Sequence, residues 1–204
     1  MSVGKTEPSL GETERQGRHK PRKYLIFTFG CQMNEHDSEA IVGILEERGY
    51  VPVDAPEEAD LIIFNTCCVR ENPERKVYGR LGELKKLKEE KPSLILGICG
   101  CMVQQEGELE AIKRRLPHVD LVFGTRNIHR LPELLDRVES GAKAFEVWDA
   151  CSLQGFPDVE AREGIPVRRE GKLKAWVTVM YGCDNFCSYC IVPYVRGPER
   201  SRDF

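Results

Sequence analysis

The 204-residue sequence has no apolar run long enough to cross a membrane. Its longest apolar stretches, LIIF and LILGIC, have the length of strands, whereas a bilayer-spanning helix requires roughly 20 apolar residues. The first 22 residues are polar and lack the apolar core of a secretory signal, so we expect a disordered tail there. These absences predict a cytoplasmic protein without membrane contact.

The sequence also lacks a charge excess, internal repeats and low-complexity segments. A formal net charge of -3 gives no overall electrostatic reason for nucleic-acid binding. Charged residues make up 31% of the chain, but 41% hydrophobic residues still allow a sizeable core. In a reducing compartment the nine cysteines indicate metal binding or redox chemistry rather than a disulfide framework.

Short apolar runs alternate with segments of helical periodicity from Lys23 onward. The predicted strands are KYLIFTF, VPV, ADLIIFNT, SLILGIC and HVDLVFG, and the predicted helices span about 34–49, 71–90, 104–115 and 131–140. Connections this short predict a parallel sheet with helices on both faces, so residues 23–140 form one α/β domain. Residues 141–174 are predicted to be a linker with one added strand, after which a final strand, AWVTVM, leads into YGCDNFCSYC.

Three cysteines each follow a predicted buried strand directly: Cys31, Cys67 and Cys101. Ligands of an open parallel sheet collect beyond the carboxyl ends of its strands, so these cysteines should meet at one edge. Glycine, Asn and Thr beside them suit tight turns with free backbone N–H groups facing a negatively charged sulfur cluster. The alternative for any one of them is a buried, small hydrophobic residue.

A second triad lies within one loop, at Cys183, Cys187 and Cys190. The spacing C-x-x-x-C-x-x-C suits a 4Fe–4S cluster better than tetrahedral zinc, which needs a fourth Cys or His nearby. No His follows Arg130. Three ligands for four irons leave one iron open to a small molecule, as in a catalytic cluster.

The remaining three cysteines are not predicted to be ligands. Cys99 falls inside a predicted strand and should pack in the core, Cys68 begins a helix turn, and Cys151 lies in the linker without a visible partner.

The second triad, with the aromatic Tyr189 before its last cysteine, resembles the signature of radical S-adenosylmethionine (SAM) enzymes. The segments TFGCQMNEHDSE, NTCCVRENPERKVYGRLG, GCMVQQEG and YGCDNFCSYCIVPYVRGPERSR resemble the methylthiotransferase family within that superfamily. Within it, CQMNEHDSE is most similar to the MiaB-type branch, the tRNA-2-methylthio-N(6)-dimethylallyladenosine synthases. The resemblance covers the N-terminal portion of such an enzyme.

The resemblance implies two 4Fe–4S clusters, an auxiliary one on Cys31, Cys67 and Cys101 and a SAM-binding one on the second triad. Tyr189 would lie against the SAM adenine. An electron from the second cluster would cleave SAM, and the resulting radical would take hydrogen from carbon 2 of N(6)-dimethylallyladenosine next to the tRNA anticodon. The auxiliary cluster would supply the sulfur. The implied partners are tRNA and a one-electron reductant such as flavodoxin or ferredoxin, with the enzyme a monomer.

In this family residues 175–204 correspond to the first strand and cluster loop of a radical SAM (β/α) barrel, which needs roughly 200 residues or more. We therefore expect a fragment or truncated product that is inactive alone and exposes apolar surface on its single barrel strand. Three alternatives stay open: a methylthiotransferase for threonylcarbamoyl-adenosine tRNA, a non-catalytic iron–sulfur module and a structural zinc protein.

Overall fold

The computed structural model describes residues 20–68, 71–148, 164–169 and 173–202. Six parallel strands form one sheet: β1 (Lys23–Thr28), β2 (Val51–Pro52), β3 (Leu61–Thr66), β4 (Ile95–Gly100), β5 (Leu121–Gly124) and β6 (Ala144–Glu146). Their order is β2-β1-β3-β4-β5-β6. The order reverses between β1 and β3, and ligand crevices of such sheets open at that reversal.

Four helices cover the sheet: α1 (Gln32–Glu47), α2 (Glu71–Glu90), α3 (Glu108–Arg115) and α4 (Leu131–Glu139). Side chains of a strand alternate between its faces, so Leu61 and Ile63 of β3 pack in the core with α1 and α4. Ile62 and Phe64 pack on the opposite face with α2 and α3. Both faces are therefore buried, and the predicted α/β sheet covered on two sides is confirmed.

Local turn chemistry places the first helix where the sequence predicts it. Cys31 caps α1 in an extended conformation, and the helix ends just before Gly49, whose φ is 81°. Glycine adopts that left-handed conformation without a steric penalty, which is why it commonly follows a helix. Val51–Pro52 pairs only with β1 at the sheet edge, as its proline requires, and Ala144–Glu146 is the added strand expected in the linker.

Two predicted elements are wrong in part. The helix expected from Gln104 begins at Glu108, because Met102 and Val103 are buried in a 3-10 turn and Gly107 is left-handed with φ of 74°. The strand expected over AWVTVM shrinks to β7 (Met180–Tyr181), which pairs antiparallel with β8 (Arg200–Ser201).

The reason for the shortened strand is that its apolar side chains have nothing to pack against within the described residues. Val177 and Val179 are 64% and 71% exposed, while Thr178 between them is buried.

A short helix, α5 (Val192–Arg196), follows the cysteine loop and lies near the turn after β4. No helix in the described part of the chain is long and apolar enough to span a membrane.

Candidate functional site

The structure brings the three strand-end cysteines to the carboxyl edge of neighbouring strands. Cys31 follows β1, Cys67 follows β3 and Cys101 follows β4, and β3 pairs with both other strands. The side chain of Cys31 is exposed, whereas Cys67 and Cys101 are buried. The predicted grouping by chain direction is therefore present in the backbone.

Close backbone approach at two glycines packs these turns together. A Cβ atom built on Gly30 would lie 2.5 Å from the Cβ of Cys67. A Cβ built on Gly100, whose φ is +100°, would lie 2.3 Å from the carbonyl oxygen of Thr66. Only glycine fits either position, so the close approach of the neighbouring strand requires a glycine directly before Cys31 and directly before Cys101.

A buried amide pair holds the start of α1 against the end of β3. Asn34 Nδ2 donates to Asn65 Oδ1 at 3.0 Å and to the Thr66 carbonyl at 3.1 Å, and Asn65 Nδ2 donates to the Asn34 carbonyl at 2.8 Å. Both asparagines are fully buried. The Cys31 thiol donates to Asn34 Oδ1 at 3.4 Å, so the same pair orients that cysteine.

The sequence predicts free backbone N–H groups at this edge, but at least one of them is hydrogen-bonded within the sheet. The Cys101 N–H donates to the Thr66 carbonyl at 2.8 Å, which extends the β3–β4 ladder by one residue. Cys31 instead stands at the N-terminus of α1, where the helix dipole favours a negatively charged group.

Cys101 lies among charged and polar groups that sequence reasoning did not place there. Arg196 Nε donates to its Sγ at 3.2 Å, and Arg196 Nη1 lies 2.8 Å from Oδ2 of Asp37. A hydrogen bond with the Cys68 thiol, together with the positive charge of Arg196, lowers the pKa of Cys101 to about 7 against the opposing effects of burial and Asp37. The lowered pKa favours the thiolate form of Cys101.

Arg196 and Asp37 form a buried ion pair, with side chains 7% and 2% exposed. Burial lowers the pKa of Arg196, but the negative charges of Asp37 and Cys101 outweigh it and raise that pKa overall. The Nη2 atom of Arg196 is buried and has no hydrogen-bond partner in the described part of the chain. The sequence offered no periodic signal for this pair, because its members are 159 residues apart.

The cysteines not predicted to be ligands differ in their surroundings. Cys99 is 1% exposed in the core, as predicted, and burial raises the pKa of its thiol. Cys68 is half-buried and hydrogen-bonded to Cys101, a contact that its sequence position did not reveal. Cys151 lies outside the described residues.

The second triad lies in a loop whose backbone is packed against the turn after α5. The Cys183 N–H donates to the Gly197 carbonyl at 3.1 Å, and the Cys190 N–H donates to the Cys187 carbonyl at 3.0 Å. Cys187 is exposed and the other two cysteines are half-buried. Tyr189, the predicted adenine contact, is 91% exposed.

The candidate metal ligands of both triads are cysteine sulfurs, which are soft donor atoms. Within the described residues no three Cys, His, Asp or Glu side chains converge closely enough to hold one metal ion. None of the eight described cysteines forms a disulfide, and thiolates are the ligands that iron–sulfur clusters use. The buried, unpartnered N–H of Arg196 beside Cys101 also fits a negatively charged, sulfur-containing group at that edge.

Comparison with known proteins gives one family match, the model described as "Uncharacterized protein family UPF0004", over residues 23–124. Curated relatives named tRNA-2-methylthio-N(6)-dimethylallyladenosine synthase include one from Desulforamulus reducens, 59% identical over 88% of this chain and 38% of the relative. Another, from Symbiobacterium thermophilum, is 54% identical over 100% of this chain and 42% of the relative. A third, from Bacillus pumilus, is 54% identical over 92% and 36%.

These matches confirm the resemblance to the N-terminal portion of such synthases. The chain spans about two fifths of the length of the curated relatives it matches.

Proposed function

This chain belongs to the family described as "Uncharacterized protein family UPF0004", and from that membership we propose that it is the N-terminal part of a tRNA methylthiotransferase. The reaction is radical SAM methylthiolation of carbon 2 of N(6)-dimethylallyladenosine next to the tRNA anticodon. The observation that carries this proposal is the 59% identity, over 88% of the chain, to a relative named for that product.

Each cysteine triad holds one 4Fe–4S cluster in this proposal. Cys31, Cys67 and Cys101 hold the auxiliary cluster at the sheet edge. The SAM-binding cluster is held by three loop cysteines, Cys183, Cys187 and Cys190, with Tyr189 against the adenine. When bound, the two groups supply a SAM-derived radical and the sulfur that is installed.

The protein's own residues fix where these groups sit. The Asn34–Asn65 amide pair holds the turn that carries Cys31 against β3. The buried guanidinium of Arg196 keeps a positive charge beside the Cys101 sulfur and so favours its thiolate form. Burial of Cys67 and Cys101 limits the access of water and oxygen to both ligating sulfurs.

The proposed domain division follows the family. Residues 23–140 are the N-terminal α/β domain, residues 141–174 the linker, whose strand β6 pairs with β5 of that domain, and residues 175–204 the first strand and cluster loop of the radical SAM barrel. The exposed apolar side chains of Val177, Val179 and Met180 support that last assignment, since a barrel strand packs such side chains against its neighbours. The proposed surroundings are the cytoplasm, a tRNA substrate and a flavodoxin- or ferredoxin-like reductant, with the protein a monomer.

The proposal is tested by disrupting the coding sequence in its host and digesting total tRNA for nucleoside mass spectrometry. We expect loss of 2-methylthio-N(6)-dimethylallyladenosine and a matching gain of N(6)-dimethylallyladenosine. Loss of the 2-methylthio form of threonylcarbamoyl-adenosine instead would assign the other tRNA branch. Unchanged nucleosides would overturn the enzymatic proposal.

The metal content of the purified chain separates the cluster proposal from its alternatives. Anaerobic reconstitution with iron and sulfide should give ~8 irons per chain in two clusters. Stoichiometric zinc without iron would identify a structural zinc protein and end the proposal.

A further inference from the structure

Arg196 connects the two halves of the described site. It is the last residue of α5 and follows the second triad by six residues, yet its side chain reaches the edge that carries the first triad. There it contacts Cys101 Sγ through Nε and Asp37 through Nη1. Asp37 belongs to α1, so one side chain contacts both the α1 and the β4 parts of the sheet edge.

The backbone on either side of Arg196 is fixed as well. The preceding carbonyl, that of Val195, accepts a hydrogen bond from the buried Thr125 hydroxyl at 3.1 Å. The following carbonyl, that of Gly197, accepts the N–H of Cys183 at 3.1 Å. Three consecutive residues therefore make three different contacts: Val195 with the turn after β5, Arg196 with the first triad and Gly197 with the second triad.

The loop cannot easily move away from this turn. Gly182, with φ of +68°, lies so close to it that a Cβ atom would stand 2.0 Å from the Pro198 carbonyl oxygen. The Glu199 N–H also donates to Asp184 Oδ1 at 2.7 Å. A displacement of Arg196 is thus transmitted to Cys183 through backbone contacts.

We infer that Arg196 is a positioning residue: it holds the loop of the second cysteine triad against the first triad and directs its unpartnered Nη2–H to the sulfur-containing group held at Cys101. The inference rests on the proposed function, because two groups that modify one carbon atom must keep a fixed separation. A buried N–H without an acceptor is costly, so a sulfur acceptor stabilises the arrangement.

The test begins with the metal-free chain and the substitution Arg196→Lys. Lysine keeps the charge beside Asp37 but cannot donate to two partners from a planar fork. Hydrogen–deuterium exchange followed by mass spectrometry should show amides of residues 183–197 exchanging about tenfold faster or more, since charge-assisted bonds are lost. Peptides from β3 and β4 should be unchanged.

Two further variants keep this measurement decisive. The double variant Arg196→Gln with Asp37→Asn removes both buried charges together, so no unpaired charge threatens folding, and the same local increase is expected. The control is Arg48→Lys, because Arg48, which directly follows α1, also forms an ion pair, with Asp136 of α4, but contacts neither triad. Equal exchange of residues 183–197 in wild type and both Arg196 variants would overturn the positioning role.

The sulfur contact is tested separately after anaerobic reconstitution with iron and sulfide. Loss of an N–H donor to cluster sulfur destabilises the reduced form, so one cluster of Arg196→Lys should have a more negative reduction potential in a titration followed by electron paramagnetic resonance. Unchanged potentials in both clusters would overturn this contact. If no chain binds iron, the proposed function fails, while the exchange measurement still decides the positioning role.

Discussion

Replacing Gly100 by alanine should destabilise the fold more than the same change at a glycine with open space around it. Gly100 is the last residue of β4 and directly precedes Cys101, and its φ is +100°. A side chain there would meet the Thr66 carbonyl oxygen at 2.3 Å and the Thr66 nitrogen at 2.7 Å. Both atoms belong to the backbone at the end of the neighbouring strand and cannot rotate away.

The expected magnitude has two parts. The left-handed conformation costs a non-glycine residue about 1–2 kcal/mol, and forcing an extra carbon into a packed region costs about 1–3 kcal/mol. Gly100→Ala should therefore lower the free energy of unfolding by about 2–5 kcal/mol, a large part of the ~5–15 kcal/mol of an ordinary domain.

The assay is urea unfolding of the metal-free chain under reducing conditions, followed by far-ultraviolet circular dichroism. Two alanine controls separate the cost of backbone strain from the cost of steric overlap. Gly49 has φ of +81° but open space around its Cβ position, so Gly49→Ala should cost only the ~1–2 kcal/mol of backbone strain. Gly82 is an exposed helical glycine with open space, so Gly82→Ala should stabilise by about 0.5–1 kcal/mol. If Gly100→Ala unfolds at the same urea concentration as Gly49→Ala, the steric reasoning is refuted.

Three other changes test the site. Cys67→Ala should remove about half of the reconstituted iron and Cys68→Ala none; the reverse pattern, by iron analysis, would make the thiol bonded to Cys101 the ligand. Asn65→Leu removes one acceptor of the buried Asn34 amide and the donor to the Asn34 carbonyl, and it should cost about 1–3 kcal/mol in urea unfolding; an unchanged midpoint would contradict a structural role for the amide pair. The pKa of Cys101, lowered to about 7 in the folded metal-free chain, gives stability that is present above the ordinary thiol pKa of ~8.5 and lost as pH falls through 7. Unfolding free energy should thus rise from pH 7 to 9 by on the order of 2 kcal/mol relative to Cys101→Ser, and parallel pH profiles of the two proteins would exclude this contribution.

Local sequence predicted most of the elements because their signals are local. Continuous apolar runs such as LIIF identify buried strands, and Gly49 marks the end of α1 at the predicted position. The AWVTVM run failed for a non-local reason: β propensity extends a strand only when partners bury its side chains, and Val177 and Val179 have none among the described residues.

The candidate site, too, was predictable from local sequence only in part. Placing Cys31, Cys67 and Cys101 at one edge needed only strand direction, which the alternation of strands and helices provides. Which neighbouring group each thiol meets depends on side-chain contacts over long separations. Nothing near Cys68 in sequence indicates its bond to Cys101.

The sequence by itself therefore determined the α/β architecture, the two cysteine triads and the likeness to methylthiotransferases, since periodicity, spacing and residue identity carry that information. Only the tertiary structure decided that Arg196, Asp37 and Cys101 meet in one buried cluster, and that Asn34 pairs with Asn65. The physical reason is that a buried charge or amide finds its partner through packing of the whole chain, and no local pattern records which partner that is.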